Sequence, residues 1–489
     1  FLCYISPHQL FTDIKSMQWD NGVIKCRLDF TGDAFETEDQ RNWTDASYKT
    51  YSTPLGKPFP VTLSKGEDLF QKVTFQAGKV PDFHYEANDI ININIPPGEM
   101  LELPAVGISR STRPEQLTDN EISILKTLRF DHYRVDVHLH SDTWKEAAEA
   151  AINEAGKLGY ALELALFFGD EPTRQCHEMT DFFSHARASV SLITILHKTR
   201  PATPVDLASK VVPLLRASFK DAKIACGTNA GFAELNRNRP ATGEIDYLSY
   251  SIHPQEHASD NKTLVENLKG QEYTVKSCVR FAGTKGVWIS PVTLRRRFNA
   301  NLESYEIPYG GQGVPPQVDP RLMSIFGACW SAGSLKYLCE SGAKGITFFE
   351  TAGERGIIQG DHPARWPEAS HAECGAIFPV FNVFKFFLEN KSFRIMASES
   401  DNPLMVDALV MVKSGKLKIM LMNFTSSTKK ARMDFCKDLL IISQLSDESH
   451  KYSGSIVSST GIRETTKSGY PLLLPSFSLT FIEGMIKDS

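Results

Sequence analysis

The chain has 489 residues, of which 42% are hydrophobic, 10% aromatic and 23% charged, the composition of a globular protein of two or three domains; a disordered or low-complexity chain is excluded. Lys and Arg number 53 and Asp and Glu 58, a net charge of -5 without the clustered positive charge that a nucleic acid needs, and no run approaches the ~20 apolar residues that span a bilayer. Nine scattered cysteines without a CxxC argue against a disulfide framework or a structural zinc site and for a reducing, cytoplasmic compartment.

The first residues show no basic stretch followed by an apolar one, and the sequons at Asn42, Asn261 and Asn423 read as chance. Residues 1–98 read as β structure, short alternating runs separated by turn residues. Ile14 to Trp19, the turn Asp20-Asn21-Gly22 and Val23 to Phe30 form a hairpin pattern. Ile90 to Ile95 alternates at period two before Pro96-Pro97-Gly98, the expected boundary.

From 99 to 395 strands and helices alternate. Eight strands are expected, centred on Glu102–Ile108, His132–His138, Ala161–Phe168, Val190–Leu196, Lys223–Gly227, Tyr247–Ile252, Val287–Val292 and Gly345–Glu350. Most are apolar runs, as strands buried on both faces require. The clearest helix carries Trp144, Ala147, Ala148, Ala151, Ile152, Ala155 and Leu158 on one stripe, and the last, Phe378 to Leu388, is rich in Phe. Eight such units in roughly 290 residues match a (β/α)8 barrel. A doubly wound sheet usually has fewer strands and often a Gly-rich first turn, and neither GxGxxG nor GxxxxGK[ST] occurs. From 396 to 489 β structure returns, with a hairpin over Ala408–Val412 and Leu417–Met422 and closing strands at Leu472–Leu474 and Phe477–Ile482. The expected α/β fold is a TIM barrel with an accessory β-sandwich formed from the N- and C-terminal segments.

Chemistry in such a barrel sits where the strands end at the C-terminal face. Glu350 closes the apolar strand Gly345-Ile346-Thr347-Phe348-Phe349, a costly place for a charge unless it faces the mouth. Glu234 follows the fifth strand, three strands away on a ring of eight. Opposed carboxylates divide labour when their surroundings push their pKa values apart; the bland alternative is a pair of salt-bridged glutamates. Arg134 and Asp136 share a strand face and either orient a polyol or carboxylate ligand or form an internal ion pair. His138-Leu139-His140, with His197 and His253, is the rival constellation for a divalent metal, but it falls on the second strand rather than the first, and no metal or other cofactor is expected. No GxSxG elbow occurs. Arg295-Arg296-Arg297 is too short for a nucleic-acid arm and reads as surface or anion-pairing groups.

The string from Glu38 to Tyr51, EDQRNWTDASYKTY, is long and unusual. With Gly227-Thr228-Asn229-Ala230, Phe232-Ala233-Glu234-Leu235-Asn236-Arg237, Ile289-Ser290-Pro291-Val292-Thr293-Leu294 and Phe349-Glu350-Thr351-Ala352-Gly353 it resembles the bacterial D-apionate lactonase family. The resemblance covers the N-terminal β region and the barrel. It implies hydrolysis of D-apionolactone to D-apionate in the catabolism of the branched pentose apiose. The family in turn looks like barrel glycosidases whose paired glutamates lie on strands four and seven; here the pair falls on five and eight, with the same spacing. Ser251-Ile252-His253-Pro254 departs from the Asn expected before that proline.

An ester needs an activated water or nucleophile and a stabilised oxyanion. The expected roles are Glu350, ionised, as base or nucleophile, Glu234, protonated, as acid, and Asn229, His253 or His257 as hydrogen-bond donors. The expected partner is a small sugar lactone or carbohydrate, with no nucleic acid and no membrane. The alternatives are a retaining glycoside hydrolase using the same pair, a metal-dependent barrel lactonase and a carbohydrate-binding protein without catalysis. The Glu38–Tyr51 string either walls the site or, the reading favoured here, glues domains together through Trp43, Tyr48 and Tyr51.

Overall fold

The computed structural model describes residues 4–20, 22–78, 90–186, 188–241, 243–300, 313–446, 464–466 and 469–487. Eight parallel strands form a ring: β1 (Ala105–Ser109), β2 (His132–His138), β3 (Ala161–Phe168), β4 (Val190–His197), β5 (Lys223–Gly227), β6 (Tyr247–Ile252), β7 (Gly286–Val292) and β8 (Gly345–Ala352). β8 closes back on β1 from Gly345↔Ala105 to Phe348↔Ile108, so the barrel has no open edge. The first strand begins later than its sequence pattern suggested. Leu101–Glu102 pairs with Arg394–Met396 in another sheet, and β1 starts beyond Pro104, which has no N–H to give a ladder.

Strand alternation decides what fills the ring. In β2, Tyr133, Val135 and Val137 join the outer core under the helices, whereas Arg134, Asp136 and His138 point inward. The helix Trp144–Leu158 lays Trp144, Ala148, Ala151, Ala155 and Leu158 on that outer core. Inside the ring are two small apolar clusters. Leu192, Ala225 and Trp288 lie towards the N-terminal ends of the strands; Ala165, Phe167, Leu196 and Phe298 lie towards the C-terminal ends. A polar layer separates them. Its His132 ring fits only because β1 is bare beside it: a Cβ on Gly107 would lie 2.0 Å from that ring.

Residues 11–77 form two three-stranded antiparallel sheets, Phe11–Ile14 with Phe35–Asp39 and Tyr48–Tyr51, and Ser16–Asp20 with Lys25–Thr31 and Lys72–Ala77. The expected hairpin is the second pair's start, with Trp19 opposite Cys26; Asn21 of its turn lies outside the described residues. Among the described residues on the N-terminal side of the barrel, Ile90–Asn94 and Leu101–Glu102 enter the C-terminal sandwich. There a seven-stranded sheet that includes Val406–Lys413, Lys416–Asn423 and Ser478–Ile486 faces a four-stranded one. Val406, Ala408, Val410 and Val412 face the sandwich interior, while Leu409 and Met411 join the barrel's core. The helix Ile325–Glu340 fills the joint. It is buried all round, as its lack of a polar face requires.

One charged cluster is buried in that joint. Lys336 Nζ donates to Glu340 at 2.9 Å and to the Ser398 carbonyl at 2.7 Å, and lies 3.6 Å from Asp407, which accepts from Tyr337 Oη at 2.7 Å. Burial, opposed by Lys336 and reinforced by Asp407, lifts the Glu340 carboxyl from 4.5 to about 7. A carboxyl raised on folding gives stability that is full below its unfolded value and is lost as pH climbs through the folded one. Urea melts of the whole chain should therefore show stability falling between about pH 4.5 and 7, a slope that Glu340→Gln flattens. Lys336→Ala, which leaves two carboxyls buried without their cation, should cost about 3–5 kcal/mol in the same melts.

Candidate active site

A chain of alternating charge climbs from the barrel interior to its C-terminal mouth. It begins at Glu163, an inward residue of β3 that is fully buried. Glu163 lies 3.1 Å from His132 Nε2 and 3.8 Å from Arg134 Nη1, and accepts hydrogen bonds from Ser290, Thr347 and Trp288. Burial would raise its carboxyl, but His132, Arg134 and Ser290 together hold it below the usual range. Arg134 donates upward from Nε to Asp136 at 3.0 Å, from Nη1 to Ser290 Oγ at 2.7 Å and from Nη2 to Asn229 Oδ1. Asp136 is in turn 3.4 Å from Arg297, and burial's upward push on it is overcome by Arg134 and Arg297. Arg297 stands 3.9 Å from Glu350, and Arg355 stands 3.1 Å from the same carboxylate oxygen, Oε1.

Glu350 owes its direction to a break in β8. Register slips between Phe348 and Glu350, and Phe349 takes a positive φ of 27°. Bulges and strained backbone of this kind re-aim side chains at functional sites. Glu350 Oε2 accepts from the Thr112 N–H and hydroxyl, both at 2.9 Å. Its Oε1 is buried and makes no hydrogen bond to a described residue. Glu350 itself lines a pocket of about 20 Å³ with Arg295, Arg297, Asp319, Glu354 and Arg355; its partners Thr112, Arg297 and Arg355 also line a cavity of about 370 Å³. That cavity is lined by four arginines (Arg110, Arg134, Arg297 and Arg355), by Ser109, Ser111 and His138, and by one carboxylate, Asp136. Arg110 is braced from behind by Glu154 at 2.7 Å.

Glu234 lines a different, much smaller cavity, about 30 Å³, with His253, Glu256, Arg296, Trp43 and Thr44. Phe298 lines both cavities and stands between them. A Cβ placed on Gly231 would lie 3.6 Å from Glu234 Oε2 and 3.8 Å from His253 Nε2, so both side chains overhang that glycine. Burial raises the Glu234 carboxyl and drives His253 down to about 4. His253 Nδ1 is buried without a hydrogen bond, 3.9 Å from Glu256.

The Glu38–Tyr51 string does both things expected of it as alternatives. Trp43 and Thr44 wall the Glu234 cavity. Asp45 binds His257 at 2.7 Å and Asn267 at 3.1 Å, Asn42 Oδ1 accepts from Asn236 at 3.0 Å, and Arg41 lies over the rings of Tyr48 and Tyr273. The loop can lie this close because a Cβ on Gly270 would meet the Thr44 carbonyl at 2.3 Å.

Of the residues singled out in the sequence, Arg134, Asp136, Asn229 and Glu350 thus belong to one connected assembly. Glu234 and His253 belong to the neighbouring cavity, and His257 is directed at Asp45 and packs edge-on against Trp43. Arg295, Arg296 and Arg297, one run in sequence, each take a separate carboxylate: Asp319, Glu256 and the Asp136–Glu350 pair. His138 stacks on Phe167, and among the described residues no three His, Cys, Asp or Glu side chains converge as metal ligands. No described helix is long and apolar enough to cross a membrane. Sequence reasoning passed over Glu163, although the signal was the one that marked Glu350: a lone carboxylate inside an apolar strand. It passed over Thr112, and read Arg297 only as one of three surface or anion-pairing arginines, because nothing local shows that two loops meet over Glu350.

A closed ring of eight parallel strands with polar cavities at their carboxyl ends and further β-sheets packed on it is a TIM barrel with accessory β-sheets. Two solved structures share it: an endoxylanase of family GH30 from Clostridium papyrosolvens C71 (TM-score 0.52, 11% identity, 81% of this chain and 100% of that one) and CelM2, a bifunctional glucanase-xylanase from a metagenome library (TM-score 0.53, 11% identity, 81% and 99%). The family model for the D-apionate lactonase TIM barrel domain matches residues 106–392, and that for the D-apionate lactonase N-terminal domain matches residues 1–80. The chain belongs to the D-apionate lactonase family. A curated D-apionate lactonase from Brucella anthropi is 25% identical over 405 residues, which are 78% of this chain and 64% of that protein, so the chain spans less than two thirds of the relative's length.

Glu163→Ala should remove one of the two buried carboxylates beside Arg134 and strip the acceptor from Ser290, Thr347 and Trp288, lowering stability by about 3–5 kcal/mol, read as an earlier urea midpoint at unchanged slope.

Proposed function

We propose that this chain opens the lactone ring of a sugar acid, D-apionolactone to D-apionate, in the arginine-lined cavity. The observation that carries the reading is the charge of that lining, four arginines to one carboxylate. Attack on a lactone carbonyl gathers negative charge on oxygen, which such a wall stabilises. Glycoside cleavage instead develops an oxocarbenium-like positive charge, which the same wall repels. The ends of β4 and β7, where the glycosidases that the family resembles carry their paired glutamates, bear His197 and Thr293. The glycosidase alternative therefore has less support, and the family membership points the same way.

In this scheme Glu350 is the base. Its Oε1 is buried and makes no hydrogen bond to a described residue, and its neighbours Thr112, Arg297 and Arg355 line the cavity, so it has a lone pair for a water proton. Water attacks the acyl carbon as Glu350 takes its proton, and the carbonyl electron pair moves onto oxygen. Collapse re-forms the carbonyl, breaks the ring C–O bond and protonates the departing ring oxygen. Glu350 gives the proton it took from water to that ring oxygen and is restored, and the net change is lactone plus water to hydroxy acid; Glu234, the acid expected from the sequence, lines the neighbouring cavity beyond Phe298 and takes no part in this step.

Purified protein assayed on a sugar-lactone panel and an aryl-glycoside panel tests the reading; turnover of glycosides without lactones would sink it. Glu350→Gln should lower kcat/KM on the lactone about 100-fold or more while the chain stays folded by circular dichroism. Glu234→Gln, whose side chain lines the neighbouring cavity, should cost only a few fold. A loss of about 100-fold in that variant, with the alkaline fall of the pH–rate profile abolished, would assign the ring-oxygen proton to Glu234 instead.

A further inference from the structure

We propose that Arg297 is the residue that stabilises the oxyanion, a proposal that rests on the lactone reading. Arg297 comes from the loop after β7 and projects over the cavity that Arg110, Arg134 and Arg355 also line. Its guanidinium is mostly buried, 12% exposed, and its ion pairs to described residues are long and run through one nitrogen: 3.4 Å to Asp136 and 3.9 Å to Glu350 Oε1. Nε and Nη1 donate to no described residue. A buried guanidinium normally spends its N–H groups in short, forked contacts. Arg134, one link down the same charged chain, does so with Asp136, Ser290 and Asn229.

The nitrogen that approaches Glu350 is Nη2, the one shared with Asp136, and Arg355 Nη2 lies nearer the same oxygen at 3.1 Å, so Nε and Nη1 are the Arg297 donors left without a described partner. Glu350 Oε1 is buried without a hydrogen bond, and the gap to Arg297 Nη2 is 3.9 Å, too long for a direct bond. A site that puts a carboxylate with an open lone pair against a cation with open N–H groups, both held from behind, has one partner for the attacking water and one for the oxygen it makes negative. Asp136 keeps the Arg297 side chain at the mouth, and Asp136 is itself fixed by Arg134 above Glu163. Arg297 thus contributes charge that strengthens its hold only after water adds to the carbonyl carbon, which is the condition for raising kcat rather than lowering KM. The substrate class that fits is a small polyol lactone whose product is a carboxylate, since the same guanidinium then faces the newly formed anion.

The experiment is steady-state kinetics on D-apionolactone for wild type, Arg297→Ala and Arg297→Lys, with free guanidinium added to Arg297→Ala, and thermal melts of all three. The expected result is a fall in kcat of about 100-fold or more for Arg297→Ala with KM little changed. Arg297→Lys should retain part of the rate, and guanidinium should restore part of it without altering the melting temperature. An active wild type whose Arg297→Ala variant keeps its kcat overturns the proposal alone. So does a loss that neither lysine nor guanidinium relieves and that tracks a lowered melting temperature. A wild type inert towards lactones overturns the lactone reading and the proposal with it.

Discussion

The charged chain from Glu163 through Arg134, Asp136 and Arg297 to Glu350 is the constraint around which the barrel is organised. Two of its members, Glu163 and Arg134, sit where a TIM barrel usually packs branched aliphatic side chains. Removing such groups from water is expensive, and mutual attraction offsets the cost only when geometry is good and the remaining lone pairs and N–H groups are used. Here Ser290, Thr347, Trp288 and Asn229 use them. A hydrophobic filling would serve stability as well or better, so the arrangement is understood through what it holds at its upper end: a guanidinium and a carboxylate facing one cavity.

Several features far apart in sequence follow from that requirement. Gly107 leaves room for the His132 ring beside Glu163, and the kink at Phe349 turns Glu350 towards Thr112. The N-terminal region closes the neighbouring cavity from outside the barrel by laying Trp43 and Thr44 across Glu234 and His253. Burial there has opposite effects on the two groups. It raises the carboxyl and lowers the imidazole, in each case disfavouring the charged form.

The C-terminal sheets play a different part. Their long strands are buried on both faces, one against the second sheet of the sandwich and one against the helix Ile325–Glu340. Barrel and sandwich thereby share a core, and the Lys336 cluster encloses charge in that joint. The six Cys residues 176, 226, 278, 329, 339 and 436 are buried, packing as small apolar side chains.

The barrel was legible because its strands are long apolar runs alternating with amphipathic helices, a local pattern that only one common closed architecture accommodates at this length. Its strand count and the positions of Glu234 and Glu350 after strands five and eight could be read in the same way. Sequence also determined that Arg134 and Asp136 share a face, since strand geometry fixes that within three residues. Whether their partners would be a ligand or each other was decided by Glu163, a residue on the next strand whose register with Arg134 is not encoded nearby. Tertiary structure alone set Thr112 and Arg355 on Glu350, sent three consecutive arginines to different carboxylates, and put Phe298 between the arginine-lined cavity and that of Glu234. The reason is physical: hydrophobic periodicity is written in neighbouring residues, whereas electrostatic partnership depends on distances between loops that only the closed ring brings together.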